Sequence, residues 1–152
     1  MTEKLYDTTK IAKIVRKQIR EEFPDCKFSV TKQSFSGGSA ITVALMVAPF
    51  PVFAKDVDVN GNVQEKDYAQ LNDHQLRKGY DHSYHYPGVC NGIFLTPRAW
   101  DVLARAVEIG QAYNWDNSDI QTDYFDVNYY FDINIGKWNK PFQIAPNRRI
   151  SK

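Results

Sequence analysis

The chain has 152 residues, a length typical of one domain and too short for two full ones. Its 19 Lys and Arg residues balance 18 Asp and Glu residues, so the formal net charge is only +1. This balance excludes a uniformly basic nucleic-acid coat and a uniformly acidic mimic of DNA, so an electrostatic partner must bind a local patch. The aromatic content of 14% argues against general disorder. We therefore predict a single folded domain over residues 1–145 and a mobile basic tail over residues 146–152.

The cysteine content and the N-terminal sequence indicate the compartment. Cys26 and Cys90 form neither a disulfide framework nor a CxxC motif, which favours a reducing environment. The N-terminal residues are polar and lack the apolar stretch of a secretory signal. Glycines and prolines interrupt the longest uncharged stretch, residues 33–54, so a buried strand fits it better than a membrane span. The sequence thus predicts a soluble cytoplasmic protein with no membrane partner.

The first predicted element is a helix over residues 8–23, because apolar residues recur there at steps of three and four. Asp7 or Thr8 can cap its N-terminus, and Pro24 ends it because proline disfavours helical geometry in the preceding residue. The face opposite the apolar stripe is basic. It carries Lys10, Lys13, Lys17 and Arg20.

Two alternating segments follow, residues 27–32 and 40–47, and they predict an antiparallel hairpin. Residues 34–39 contain Gly37 and Gly38 and are expected to form the turn, because glycine adopts positive φ without strain. Residues 48–64 are expected to be a long connection with a turn at Asn60 and Gly61.

The centre of the chain gives weaker patterns. A partial apolar stripe predicts a helix over residues 65–77, and a loop rich in Tyr, His and Gly follows over residues 79–92. The next helix is better defined, because Thr96 can cap it and Pro97 suits its first turn. Trp100, Leu103, Ala104 and Val107 form its apolar stripe, and it should end near residue 113.

The clearest strand pattern covers residues 124–135, where apolar and polar residues alternate. The predicted core side of this strand consists of Phe125, Val127, Tyr129, Phe131, Ile133 and Ile135. Because helices flank a short run of strands without repeated βαβ units, the predicted class is α+β. We expect a small antiparallel sheet, made of the hairpin over residues 27–47 and the long strand over residues 124–135, packed against two or three helices.

A possible metal cluster is suggested by His74, His82, His85 and Cys90, which fall within a short span. Imidazole nitrogens and a thiolate are zinc ligands, and the spacing of His82, His85 and Cys90 permits such a site. No HExxH motif or second cysteine pair accompanies them, so a loop whose rings hydrogen-bond locally is the favoured interpretation, with no cofactor. Cys90 beside a histidine could also be a nucleophile, although a free cysteine is more often simply buried.

The second candidate site is a basic surface. It combines the helix face with two lysines of the hairpin, and consists of Lys10, Lys13, Lys17, Arg20, Lys27 and Lys32. Such a surface could contact phosphates or an acidic protein in a salt-sensitive way, although lysines and arginines also simply solvate helices. Charge is unevenly distributed, since residues 80–136 carry two basic and eight acidic side chains. The molecule is therefore expected to be bipolar.

Two stretches of the chain resemble a known family. The first contains IAKIVR at residues 11–16, KFSV at residues 27–30 and SGGS at residues 36–39. The second contains YNWDNSD at residues 113–119, TDYFDVNYY at residues 122–130 and IGKW at residues 135–138. The first resembles the large polyvalent protein-associated domains of conjugative elements and phages, and the second is similar to free-standing relatives on Gram-positive mobile elements.

This resemblance implies a mobile-element or phage protein that acts inside a bacterial host by binding a host protein, a nucleoprotein complex, RNA or DNA. By analogy, it implies an inhibitor of a host defence system such as a CRISPR effector. The family supplies no catalytic motif, so a non-enzymatic binding protein is the favoured interpretation. The alternative is a small metal-dependent hydrolase or nuclease that uses the cluster of His74, His82, His85 and Cys90.

Overall fold

A computed structural model describes residues 7–36, 38–62, 68–82, 87–114, 128–137 and 139–145, with only the backbone described at residue 82. The helices are α1 (Thr8–Glu22), α2 (Asp73–Lys78) and α3 (Pro97–Gln111), with one 3-10 turn at Tyr80–His82. The strands are β1 (Lys27–Phe35), β2 (Gly38–Ala48), β3 (Ala69–Gln70), β4 (Val89–Cys90), β5 (Ile93–Phe94), β6 (Tyr130–Ile135) and β7 (Gln143–Ile144). The predicted tail, residues 146–152, lies outside the described residues.

The α+β class is confirmed, and the main sheet is mixed rather than wholly antiparallel. Its strand order is β1-β2-β6-β3, and β7 pairs with the end of β2. The predicted hairpin is correct, because β1 pairs antiparallel with β2. Strand β6, however, runs parallel to β2, and β3 pairs antiparallel with β6. Alternation of apolar residues defines the buried face of a strand but not its direction, so the parallel pairing could not be predicted from that pattern.

The core lies on one face of the sheet, beneath α1 and α3. Val43 of β2 is paired with Val30 of β1 and with Ile133 of β6, so these three side chains share the face. They belong to one buried apolar cluster with Ile11 of α1 and Leu103 of α3. Burial of this kind of apolar surface is the main driving force of folding. The opposite face carries polar side chains of β1, β3 and β6, whereas β2 contributes the buried Ala44 and Met46 to it.

The two long helices begin at the predicted caps. The Asp7 carboxylate accepts hydrogen bonds from the amides of Thr9 and Lys10, at 3.0 and 3.3 Å. The Thr96 hydroxyl accepts from the amide of Ala99 at 3.3 Å, and Pro97 is the first residue of α3. Both caps satisfy amides that have no partner inside their helix, which explains why these starts were readable from the sequence.

The predicted helix over residues 65–77 is wrong over residues 68–72, and residues 65–67 lie outside the described residues. Ala69 and Gln70 form β3 instead, because their backbones pair with β6. Helix α2 begins only at Asp73, where the Asn72 side chain accepts from the amide of Gln75 at 3.1 Å. Asparagine competes for backbone hydrogen bonds inside a helix and is favoured as a cap, so it starts the helix late.

Two other predicted segments differ in extent. The turn predicted at residues 34–39 is shorter, since β1 continues to Phe35 and β2 begins at Gly38. In the predicted strand over residues 124–135, β6 begins at Tyr130, and the predicted core residues Phe125 and Val127 lie outside the described residues. Tyr129, Ile133 and Ile135 are buried as predicted, and Phe131 is partly buried against the core.

The loop predicted over residues 79–92 includes the first strand and the turn of a tight hairpin. Strands β4 and β5 pair around Asn91 and Gly92, whose φ angles are 53° and 82°. Asn-Gly is the preferred pair for a two-residue hairpin turn with positive φ at both positions.

Among the helices in the described ranges, none is long and apolar enough to cross a membrane.

A close approach between α3 and β6 gives the first testable prediction. Gly110 of α3 faces the ring of Phe131, and a Cβ atom at Gly110 would overlap that ring. Alanine normally stabilises a helix interior by about 1 kcal/mol relative to glycine. Here we expect Gly110→Ala to destabilise the fold by about 1–3 kcal/mol, because overpacking outweighs helix propensity. Urea denaturation measures the change.

The control for this prediction is the double variant Gly110→Ala with Phe131→Leu. Leucine removes the overlapping ring atoms, so the double variant should be more stable than the sum of the two single effects implies. An increase in the unfolding midpoint for Gly110→Ala alone would contradict the packing described here.

Candidate binding surfaces

The predicted basic face of α1 is exposed. Lys10, Lys13, Lys17 and Arg20 all lie on the solvent side of the helix. At a rise of 1.5 Å per residue, the row extends about 15 Å along the helix axis. One weak ion pair interrupts it, between Lys17 Nζ and Glu21 Oε2 at 3.7 Å, with both side chains largely exposed. Such a pair contributes little to stability, so the row keeps its cationic character.

The C-terminal end of this row opens onto a cleft between α1 and the start of β1. The cleft has a volume of about 240 Å³. Its apolar lining consists of Ile19, Cys26, Phe28 and Val30. Its cationic lining consists of Arg16, Arg20 and Lys27. We call this the α1–β1 cleft. A concave apolar surface with a few charged groups is the usual form of a binding site.

The structure therefore brings together some of the predicted basic residues and not others. Arg20 and Lys27 line the same cleft. Lys10, Lys13 and Lys17 lie outside its lining, along the helix. Lys32 is further along β1, where its Nζ lies 2.9 Å from the Ser34 hydroxyl.

Arg16 is a cleft residue that sequence reasoning missed. Its Nη2 donates to the carbonyl oxygen of Val30 at 2.7 Å, so the guanidinium joins α1 to β1. Arg16 is only half-exposed and lies between the apolar stripe and the basic face, four residues before Arg20. That i, i+4 spacing was the available signal, since side chains four apart lie on the same side of a helix.

The predicted site around Cys90 has a different environment from the one a reactive cysteine needs. Cys90 is fully buried. Its Sγ accepts from the amide of Asn72 at 3.3 Å and donates to the carbonyl of Asn72 at 3.4 Å. Burial raises the pKa of the thiol to about 11, although the hydrogen bond with Asn72 opposes this shift and Asp73 adds to it. A thiol that is protonated at neutral pH is a poor nucleophile.

Of the three histidines, only His74 is fully described. His74 lies exposed on α2, and His85 and the side chain of His82 lie outside the described residues. Within the described part of the chain, no three His, Cys, Asp or Glu side chains are placed to hold a metal ion. The zinc cluster of His82, His85 and Cys90 therefore stays a prediction.

The fold and these surfaces define a small α+β domain with a cationic helix face next to an apolar cleft. The sequence model of the family described as large polyvalent protein associated domain 29 matches residues 6–97, more than half of the chain. The chain belongs to this family. The match includes α1, β1 and β2 and ends where α3 begins, so it covers the first of the two stretches that carry the resemblance. No curated protein and no solved structure matches the chain.

The raised pKa of Cys90 predicts a loss of stability in alkali. The folded state holds the thiol proton up to about pH 11, whereas the unfolded thiol loses it near 9.0. The protonated thiol therefore contributes its full stabilisation of the folded state below pH 9. As the pH rises from 9 to 11, the free energy of unfolding falls by up to about 3 kcal/mol. Urea denaturation at a series of pH values measures the loss.

The control variants are Cys90→Ala and Tyr129→Phe. In Cys90→Ala, the free energy of unfolding should fall less steeply between pH 9 and 10. Burial raises the pKa of Tyr129 from 10.0 to about 12, so Tyr129→Phe should change the slope of the curve only above pH 10. It also removes the hydrogen bond to the Gly110 carbonyl, which lowers the stability equally at all pH values below 10. An unchanged slope between pH 9 and 10 in Cys90→Ala would contradict the assignment.

The zinc prediction is tested by elemental analysis. We expect no stoichiometric zinc in the purified protein, because the Sγ of Cys90 is already engaged by the backbone of Asn72. The double variant His82→Ala, His85→Ala should then melt as the natural protein does, and His74→Ala is the matched control. About one zinc per chain, retained through gel filtration and required for the full unfolding midpoint, would establish the metal site.

Proposed function

We propose that this chain is a mobile-element or phage binding protein whose basic α1 face and α1–β1 cleft hold an acidic segment of a partner protein. The observation that carries the proposal is the composition of the cleft, which combines an apolar lining with three cationic side chains. This arrangement suits a segment in which carboxylates flank an apolar side chain. The apolar side chain would enter the cleft, and the carboxylates would meet Arg16, Arg20 and Lys27.

The row of lysines on α1 extends the same surface. Lys10, Lys13 and Lys17 would attract a longer acidic segment and orient it before the cleft is filled. Exposed charges of this kind act mainly on the association rate, and their effect falls with ionic strength. The cleft would then determine how slowly the complex dissociates.

A protein partner fits this surface better than a nucleic acid. Single-stranded nucleic acids need aromatic faces on which bases can stack. None of the large hydrophobic residues that are exposed in the described part of the chain lines the α1–β1 cleft. Its single aromatic lining residue, Phe28, is half-buried and packs against Phe23, with ring centroids 5.9 Å apart. The experiment must therefore distinguish a protein partner from RNA or DNA.

The finer proposal is that the partner belongs to a host defence system, for example a CRISPR effector. Its support is the family of the chain and the analogy with mobile-element proteins that modulate host defence. The alternative of a metal-dependent hydrolase depends on His85 and on the His82 side chain, neither of which is described, and on a thiol engaged by backbone.

The experiment compares two variants with the same change in charge. The test variant, Arg20→Glu with Lys27→Glu, removes two cations from the cleft. The control variant, Lys78→Glu with Lys140→Glu, changes two exposed lysines elsewhere. Each variant should stay within about 1 kcal/mol of the natural stability, because the substituted residues are exposed. Proteins bound from a nuclease-treated lysate of the bacterial host are identified by mass spectrometry and then purified.

For the purified partner, the test variant should bind at least about tenfold more weakly, because each lost charged contact is worth about 1 kcal/mol or more. The control variant should bind as the natural protein does. Equal loss in both variants would indicate attraction by overall charge alone. Loss of binding after nuclease treatment would indicate a nucleic acid as the partner and would contradict the proposal.

A further inference from the structure

A polar pocket lies on the other face of the sheet, away from α1 and α3. It has a volume of about 280 Å³, and Leu71 is its one apolar lining residue. The polar lining consists of Gln70, Asn72, Asn91, Asp132 and Asn134. We call it the amide pocket. Its size is below the range of pockets that hold drug-sized ligands, so it suits a single side chain or one small ring.

Three elements build the amide pocket. Alternation along β6 places Asp132 and Asn134 on the face opposite Ile133, which is buried in the core. Gln70 is paired with Asn134 across β3 and β6. The β4–β5 turn closes one side, because Asn91 Nδ2 donates to the carbonyl oxygen of Gln70 at 2.9 Å.

Hydrogen bonds inside the wall use two of its side-chain N–H donors. Asn91 Nδ2 is committed to Gln70, and Gln70 Nε2 donates to the Tyr68 hydroxyl at 3.2 Å. The carbonyl oxygens of these two amides have no partner within the described residues. Asp132 likewise has no hydrogen bond or ion pair there, and it adds two acceptor oxygens and a negative charge. The donors that remain are both N–H groups of Asn134 and of Asn72 and the second N–H of Asn91 and of Gln70. The Asn72 Oδ1 is already used, because it caps α2.

Because each oxygen has two lone pairs, the pocket offers more acceptor positions than donors, together with one net negative charge. A ligand that satisfies it must be rich in donors and positively charged. Anionic groups are disfavoured, since no basic residue lines the pocket. Of the cationic groups in proteins, a guanidinium matches best, because it has five donors, no acceptor, and a planar shape that binds a carboxylate through two hydrogen bonds. An ammonium group has three donors and is more strongly hydrated.

An exposed aromatic pair lies beside the pocket on the same sheet face. Phe35 and Tyr130 have ring centroids 6.0 Å apart, and their residues are 43% and 49% exposed. Tyr130 precedes Asp132 by two residues on β6, so the corresponding backbone positions are about 7 Å apart. An extended peptide has the same spacing between alternate side chains. One side chain could thus lie on the rings while another enters the pocket.

We propose that the amide pocket receives an arginine side chain from an extended segment of a partner protein, with a neighbouring apolar side chain on the Phe35–Tyr130 pair. This inference goes beyond the proposed function, since it uses the opposite face of the sheet and the opposite charge. The partner segment is basic here and acidic at the α1–β1 cleft. Either proposal can therefore fail while the other stands.

The test uses three peptides with blocked termini that are identical except for one position. Each carries a leucine two residues away from arginine, lysine or citrulline, the last being close in shape to arginine and uncharged. Binding is followed by NMR through the side-chain amide signals of Asn72 and Asn134. We expect a dissociation constant on the order of millimolar for the arginine peptide, with weaker binding of lysine and weaker still of citrulline.

Variants then assign the contacts. Asp132→Asn keeps the shape and removes the charge, and it should weaken the arginine peptide about tenfold. The matched control is Asp101→Asn, an exposed carboxylate on α3, which should have no effect. Tyr130→Ala should weaken binding several-fold, whereas Tyr130→Phe should retain it because the ring is what packs.

Three outcomes would overturn the proposal. The first is equal binding of the citrulline and arginine peptides. The second is unchanged binding in an Asp132→Asn variant that has the same unfolding midpoint as the natural protein. If that variant is unstable, Asn134→Ala takes its place in the test. The third is the absence of localised shifts in the Asn72 and Asn134 signals at peptide concentrations of tens of millimolar, on the order expected for one side chain.

Discussion

Strand β2 is the element on which the rest of the structure depends, because its backbone is paired along both edges. Strand β1 occupies one edge, and β6 and then β7 occupy the other. Its side chains Ile41, Val43 and Leu45 are fully buried on the helix side. A parallel pair needs a long crossover connection, and the chain between β2 and β6 includes α3, which covers the same face as α1. The position of β2 therefore fixes both the sheet order and the core.

The two faces of this sheet explain how one nearly neutral chain presents two concave surfaces of opposite charge, which we propose as binding sites. On the helix side, the edge strand β1 and α1 leave a cleft between them whose lining charges are all positive. On the other side, β6 and β3 leave a pocket whose lining charge is negative. The positive lining comes from residues 16–27 and the negative one from Asp132 alone. The two proposed partner segments would therefore lie on separate faces of the sheet.

The features predicted correctly from the sequence depend on local chemistry. The Asp7 and Thr96 caps, the end of α1 near Pro24 and the β1–β2 hairpin involve residues close together in the chain. The features predicted wrongly or missed depend on distant contacts. Ala69 and Gln70 form a strand only because β6 is beside them. The amide pocket joins residues from three separate segments, and no spacing within one segment reports it. The Asn91-Gly92 turn is the exception, since that dipeptide was a readable signal that sequence reasoning did not use.

The pairing of Ile41 with Phe131 has a consequence for the order of events during synthesis, since about 90 residues separate the two strands. At ribosomal rates of about 5–20 residues per second, β6 is made roughly 5–20 s after β2. Helix α1 and the β1–β2 hairpin are local structures that form much sooner. During that interval the edge of β2 that will receive β6 has unpaired backbone groups, and an open edge can pair with a strand of another chain. The nascent chain is therefore more exposed to misassembly than the finished domain, in which β6 closes that edge.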